Sequence, residues 1–148
     1  MAETVGSFAK PSAVERMFGS ALVWLLRLGV GPSHMRVLEV RGRKSGKVFA
    51  LPVDLLSKDG KLYLVAPRGY AQWVRNAESA GAVVLRRGGT TQTYRLRVLT
   101  DAEKPPILKA YLDAFKSEVQ RFFPVPAGSP VEQFTPLVSR YPAFELTS

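Results

Sequence analysis

Two alternating segments, residues 35–41 and 48–56, flank the turn Gly42-Arg43-Lys44-Ser45-Gly46-Lys47, and Pro52 lies within the second segment. Alternation with period two fits half-buried strands, so the pair predicts an antiparallel hairpin. A turn this rich in Gly, Ser and cations can gather backbone N–H donors and positive charge around one anion, phosphate above all. The same residues also suit a solvated hairpin turn, because Gly and Ser are common turn formers. The Gly-x-x-x-x-Gly-Lys-Ser/Thr spacing of a phosphate-binding nucleotide loop is absent. A dinucleotide fingerprint is excluded because a strand, not a helix, follows.

The rest of the chain extends this β-rich pattern. Residues 1–11 read as a flexible tail, and Ser12-Ala13-Val14-Glu15 as the capping box of a first helix. Its expected apolar stripe is Val14, Met17, Phe18, Ala21, Leu22, Leu25 and Leu28, with Val23 and Trp24 off it. Asp59-Gly60 predicts a tight turn into a strand over 62–66, giving three consecutive antiparallel strands. A short helix is expected over 70–79, closed by Gly81. A second hairpin follows around Gly88-Gly89, and then a long helix over 101–123 with Pro105 and Pro106 in its first turn. Its buried stripe is Leu108, Tyr111, Leu112, Phe115, Val119 and Phe122. A short amphipathic piece at 131–138 and a last strand at 143–146 complete the chain. The expected architecture is mainly β with flanking helices. It is a split antiparallel β-barrel of five or six strands over 12–148, with an N-terminal helix and a long helix near the C-terminus.

Charge narrows the partners. The net charge is +9, with zero Cys and one His. Polyanionic ligands are favoured, thiolate chemistry is excluded, and no metal ligand set is expected. The strands lack the alternating aromatics that stack bases, so nucleic acid is not the expected partner. No cleavable signal pattern starts the chain, which reads as cytoplasmic. The greasy second half of the first helix is compatible with a homodimer contact or with a peripheral membrane surface.

Between residues 42 and 76 several features come in one order: Gly42-Arg43-Lys44-Ser45-Gly46, Pro52, Asp59-Gly60, Leu62-Tyr63-Leu64-Val65-Ala66, and Trp73-Val74-Arg75-Asn76. In this the chain resembles the deazaflavin-dependent nitroreductase family of actinobacteria. The resemblance implies an FMN-binding-like split barrel that uses reduced coenzyme F-420. It implies that Arg43, Lys44, Ser45, Gly46 and Lys47 hold the phosphate. The ring would lie near Pro52 and Ala66, with N–H donors from Pro67-Arg68-Gly69-Tyr70, and Trp73, Arg75 and Asn76 would follow in the next helix. The arginines of the second hairpin (Arg86, Arg87, Arg95, Arg97), if close, would meet the carboxylates of the cofactor tail. Relatives place a basic residue three positions before the proline, where this chain has Phe49, and often have a longer link between residues 66 and 73.

The expected reaction is hydride transfer from the reduced deazaflavin to a small apolar oxidant: a quinone, an enone or unsaturated lactone, or a nitroaromatic compound. Tyr70 is the first choice of proton donor by sequence, with Tyr111 and Tyr141 behind it. His34, in a Gly-Pro-Ser loop, is given no role. Two alternatives stay open: a non-catalytic carrier of deazaflavin or lipid, and an FMN-dependent reductase on the same barrel.

Overall fold

The computed structural model describes residues 13–148. The expected tail at 1–11, the capping residue Ser12 and the side chains of Val14, Met17 and Phe18 lie outside that description. Helix α1 (Ala13–Arg27) precedes strands β1 (Met35–Arg41), β2 (Val48–Asp54), β3 (Leu56–Lys58) and β4 (Lys61–Val65). Helix α2 (Gln72–Ala80), strands β5 (Ala82–Arg87) and β6 (Thr90–Val98), helices α3 (Lys104–Ala114) and α4 (Lys116–Val119) and strand β7 (Ala143–Thr147) follow. Short 3-10 turns cover Gln120–Phe122 and Val131–Arg140.

All strands pair antiparallel in one sheet of order β2-β1-β5-β6-β7-β4-β3, which curls into a split barrel. The segment 48–56 is two strands, not one. β2 pairs with β1, and β3 pairs with β4 at the far end of the strand order. The chain leaves one ladder for the other at Leu55, whose N–H donates to the His34 carbonyl at 2.9 Å. One covalent run therefore supplies both outermost strands. Pro52 is tolerated because β2 is an edge strand, where a missing N–H leaves no ladder bond unmade.

Two apolar clusters fill the two sides of the sheet. Leu38, Leu64, Val74, Leu85 and Phe144 pack beneath α2. Leu108, Tyr111, Leu112, Phe123 and Phe134 pack where α3 covers β3, β4 and the C-terminal turns. Each fully buried Leu or Phe contributes roughly 1.5–3 kcal/mol.

Two helices differ from expectation. α1 docks through Val23 and Leu26 on Met35 and Val37, with Leu22 beside them. Leu25 and Leu28, expected on the buried stripe, are exposed together with Trp24. The long helix breaks at Phe115, where φ −121° and ψ 31° leave the helical region. There the Phe115 ring turns to stack on His34 at 4.7 Å between centroids. The break lets α4 carry Glu118 towards the barrel.

Candidate active site

The turn of the first hairpin is tightly wound. Gly42 N–H donates to the Lys47 carbonyl at 2.7 Å, and Gly46 N–H to the Gly42 carbonyl at 3.0 Å. Ser45 Oγ accepts the Lys47 N–H at 3.2 Å, and Arg41 donates to the Gly46 carbonyl at 2.7 Å. Gly46 has φ 74°, which an L side chain rarely adopts. Gly42 is required for space, since a Cβ there would sit 2.8 Å from the Phe49 ring. Phe49, in place of the expected cation, lies over this bare backbone.

Asn76, buried in α2, accepts both the Arg43 backbone N–H at 3.1 Å and its guanidinium at 2.7 Å. The turn is thus pinned to the helix. Lys44 and Lys47 are exposed and form no ion pair with another described residue. α2 starts at the same place: no side chain caps it, and its first turn holds no acid. The uncapped N–H groups of its first turn carry partial positive charge and favour an anion. They belong to Gln72 and Trp73, slightly beyond the expected 67–70, because Gly69 N–H is already bonded to the Ala66 carbonyl.

Between turn and helix lies a cavity of about 430 Å³ lined by Arg43, Lys44, Ser45, Phe49, Gln72, Trp73 and Asn76. A second cavity of about 670 Å³ shares Ala50, Leu51, Ala71 and Trp73 with it, so the two form one cleft along β2. β2 becomes steadily more buried from Val48 to Asp54. Its second half has apolar walls from Leu51, Pro52, Val53, Val65 and Phe122, with Pro67, Arg68 and Arg121 at the rim. Arg68 and Arg121 each rest over the Phe122 ring, at 4.6 and 4.5 Å.

Not every expected residue reaches the cleft. Ala66 and Gly69 are buried and line neither cavity, and the exposed Gly46, Lys47 and Arg75 line neither. Tyr70 also lines neither. It packs in the cluster under α2, where burial and then Glu78 and Asp101 push its hydroxyl up. Tyr141 is equally removed, its hydroxyl donating to the Phe122 carbonyl. Three arginines of the second hairpin are held elsewhere. Arg87 braces the carbonyls of Gly31 and Pro32, both at 2.7 Å, and Arg86 reaches Glu39 at 2.9 Å. Arg97 bridges Glu103 at 2.9 Å and Glu145 at 2.6 Å.

The deep end holds a group the sequence did not reveal. His34 Nε2 lies 3.0 Å from Glu118 Oε1 and 3.1 Å from Asp54 Oδ1. A single ring nitrogen serves only one of them with good geometry. The hydrogen bond goes to Glu118, and Asp54 Oδ1 is buried without one. Burial first, then the Glu118 carboxylate, push Asp54 up to about 6, against the pull of His34. Tyr111 faces the same space and is raised well above its usual range by burial and the two acids. The three side chains offer ligand atoms within 4.8 Å of one another, a spacing that a divalent cation could also bridge. They come from a loop, a strand end and α4, so no local spacing in the sequence announces them.

A family model described as F420H(2)-dependent quinone reductase matches residues 17–121, a span that contains every residue lining the cleft except Phe122. The chain belongs to this family. It is accordingly an F-420-dependent reductase. Solved structures agree on the fold. One described as "F420-H2 Dependent Reductase (FDR-A)" superposes with TM-score 0.53 at 19% identity, covering 78% of this chain and 95% of that one. A structure described as a domain-swapped dimer gives TM-score 0.55 at 19% identity over 92% of this chain and 100% of that one. A NimC/NimA family protein from Clostridium acetobutylicum gives 0.54 at 12% identity, over 88% and 82%. No curated protein matches the chain. Among the described residues no helix is long and apolar enough to cross a membrane.

The cleft fits the family's cofactor. Its cationic end has an anion-favouring helix start and Lys44, which pairs with no other described residue, and beyond it Leu51, Pro52, Val53 and Val65 give an apolar stretch of wall before the acids at the deep end.

Proposed function

We propose that this reductase passes a hydride from reduced coenzyme F-420 to a quinone, with enones, unsaturated lactones and nitroaromatic compounds as further acceptors. The observation that carries the reading is the polarity of the cleft. It begins at Lys44 and the α2 start and ends between Pro52, Val65 and Phe122. When bound, the reduced cofactor supplies a hydride. The protein's part is positioning. Lys44, Lys47 and the N–H groups at the α2 start hold the phosphate, with Arg43 and Asn76 fixing the shape of the turn. Trp73, half-buried and tilted on Phe144 at 6.2 Å, separates the charged end from the apolar one. The apolar walls exclude water and would orient the reacting faces of donor and acceptor against each other.

Titration with oxidised coenzyme F-420, followed by turnover of the reduced form against a panel of quinones, enones and nitro compounds, tests this. Saturable binding that weakens with salt and multiple turnovers with menadione are expected. Binding with no turnover would favour a carrier, and a flavin spectrum in the purified protein would favour FMN chemistry.

The exposed Trp24, Leu28 and Val30 support contact with a second copy of the chain. Sedimentation velocity, repeated with anionic vesicles, separates a homodimer from a membrane-bound monomer.

A further inference from the structure

The deep end of the cleft holds more acid–base chemistry than positioning requires. Hydride transfer to a quinone leaves an oxygen that must also gain a proton. Tyr70 is outside the cleft, and burial makes the Tyr111 hydroxyl a weaker acid than an ordinary tyrosine. Asp54 is different. Its side chain is only 7% exposed, it lines the cleft, and its Oδ1 has no hydrogen bond. Beside it, the side chains of His34 and Glu118 are 32% and 33% exposed. The cluster therefore runs from solvent to the cleft interior, with the buried acid at the inner end.

We propose that Asp54 is the proton donor to the reduced acceptor, and that His34 and Glu118 restore its proton from solvent. This rests on the reading of the cleft as a deazaflavin-dependent quinone-reducing site. In one turnover the quinone gains a hydride and a proton. A C–H bond of the donor and the O–H bond of Asp54 break, and two bonds to hydrogen form on the hydroquinone. One proton is released to solvent as the cofactor is oxidised, and one enters through His34 and Glu118, so none is consumed overall. The groups facing Asp54 are His34 from the loop before β1, Tyr111 from α3 and Glu118 from α4, with Arg68 and Arg121 lining the same cavity. Burial and Glu118 keep Asp54 protonated to a higher pH than an ordinary carboxyl. A general acid works best near the operating pH.

Two measurements test the proposal. The first uses the protein without cofactor. With ¹³C-labelled Asp carboxyls, one aspartate should titrate near pH 6, and its signal should be missing in Asp54→Asn. Glu118→Gln should move that midpoint down, and His34→Gln should move it up. An Asp54 that titrates with the ordinary carboxylates overturns the proposal.

The second is turnover of reduced coenzyme F-420 with menadione. Asp54→Asn should lower kcat about 10²-fold, remove the decline of rate above about pH 6 and leave the affinity for oxidised coenzyme F-420 within about twofold. A tetrahalogenated quinone, whose hydroquinone anion is stable in water, should be reduced by the variant nearly as fast as by the parent. An Asp54→Asn protein with the parent's kcat and pH profile overturns this proposal alone. A parent with no turnover on any acceptor overturns it together with the reading of the cleft. Activity that is lost on dialysis against EDTA and regained with a divalent cation also overturns it, since the cluster would then be a metal site.

Discussion

Asn76 Oδ1 accepts both the backbone N–H and the guanidinium of Arg43, at 3.1 and 2.7 Å, and so fixes the first hairpin turn to α2. The most cationic loop of the cleft thus takes its shape from a neutral buried amide. Asn76→Ala removes an acceptor for two donors, one of them charged. We expect a loss of roughly 1–3 kcal/mol in urea unfolding and about tenfold weaker binding of oxidised coenzyme F-420. Unchanged affinity would mean that the turn keeps its shape without this anchor.

Lys44→Ala and Lys47→Ala should do the reverse. Neither side chain holds another described residue, so unfolding free energy should change by less than about 0.5 kcal/mol. Affinity for coenzyme F-420 should fall about three- to tenfold for each, and its dependence on salt should flatten. Titrations at two ionic strengths read both effects.

Gly42→Ala places a methyl against the Phe49 ring at 2.8 Å, near Ser45 Oγ at 3.0 Å and the Lys47 carbonyl at 3.3 Å. Overpacking of this kind costs about 1–3 kcal/mol. Phe49→Ala removes the nearest clash, so the double variant should recover part of the loss. A cycle with no coupling would show that Phe49 does not rest on Gly42.

Asp54 makes stability depend on pH. Its folded-state value of about 6 stands above the ordinary 3.8, so folding favours the protonated form. That contribution is fully present below about pH 4 and is lost as pH rises through 6. Asp54→Asn cannot ionise. The variant should therefore gain on the parent by on the order of 1–2 kcal/mol above pH 6, and the gain should vanish below pH 4. Urea melts across this range would show it.

Tyr70→Phe should keep kcat within about twofold with menadione, because Tyr70 packs under α2 and lines neither cavity. A larger loss would place its hydroxyl in the chemistry after all.

Local patterns carried the barrel and the cationic end of the cleft into the sequence. Alternation marked β1, β5 and β6, and Asp59-Gly60 marked the turn between β3 and β4. Helical spacing marked Leu108, Tyr111 and Leu112. The split at Leu55 was not legible, because it depends on a bond to the His34 carbonyl and on a partner strand across the barrel. Nor was the inward face of α1, which is set by Met35 and Val37 of β1. The break at Phe115 depends on stacking with a distant imidazole. The cluster of His34, Asp54 and Glu118 was invisible for the same reason: only the closed fold brings a loop, a strand end and a short helix together. Nor did the sequence show that neighbouring carbonyls and carboxylates take up Arg86, Arg87 and Arg97 of the second hairpin.

Form and charge are carried by different residues in the first hairpin turn. Gly42, Ser45, Gly46 and Asn76 dictate how the backbone bends, while the ammonium groups of Lys44 and Lys47 take no part in holding that bend. The charge at these two positions can therefore be changed like interchangeable type in a fixed frame. Neutral residues there would leave the bend intact and the α2 start and Arg43 as the remaining attraction for an anion.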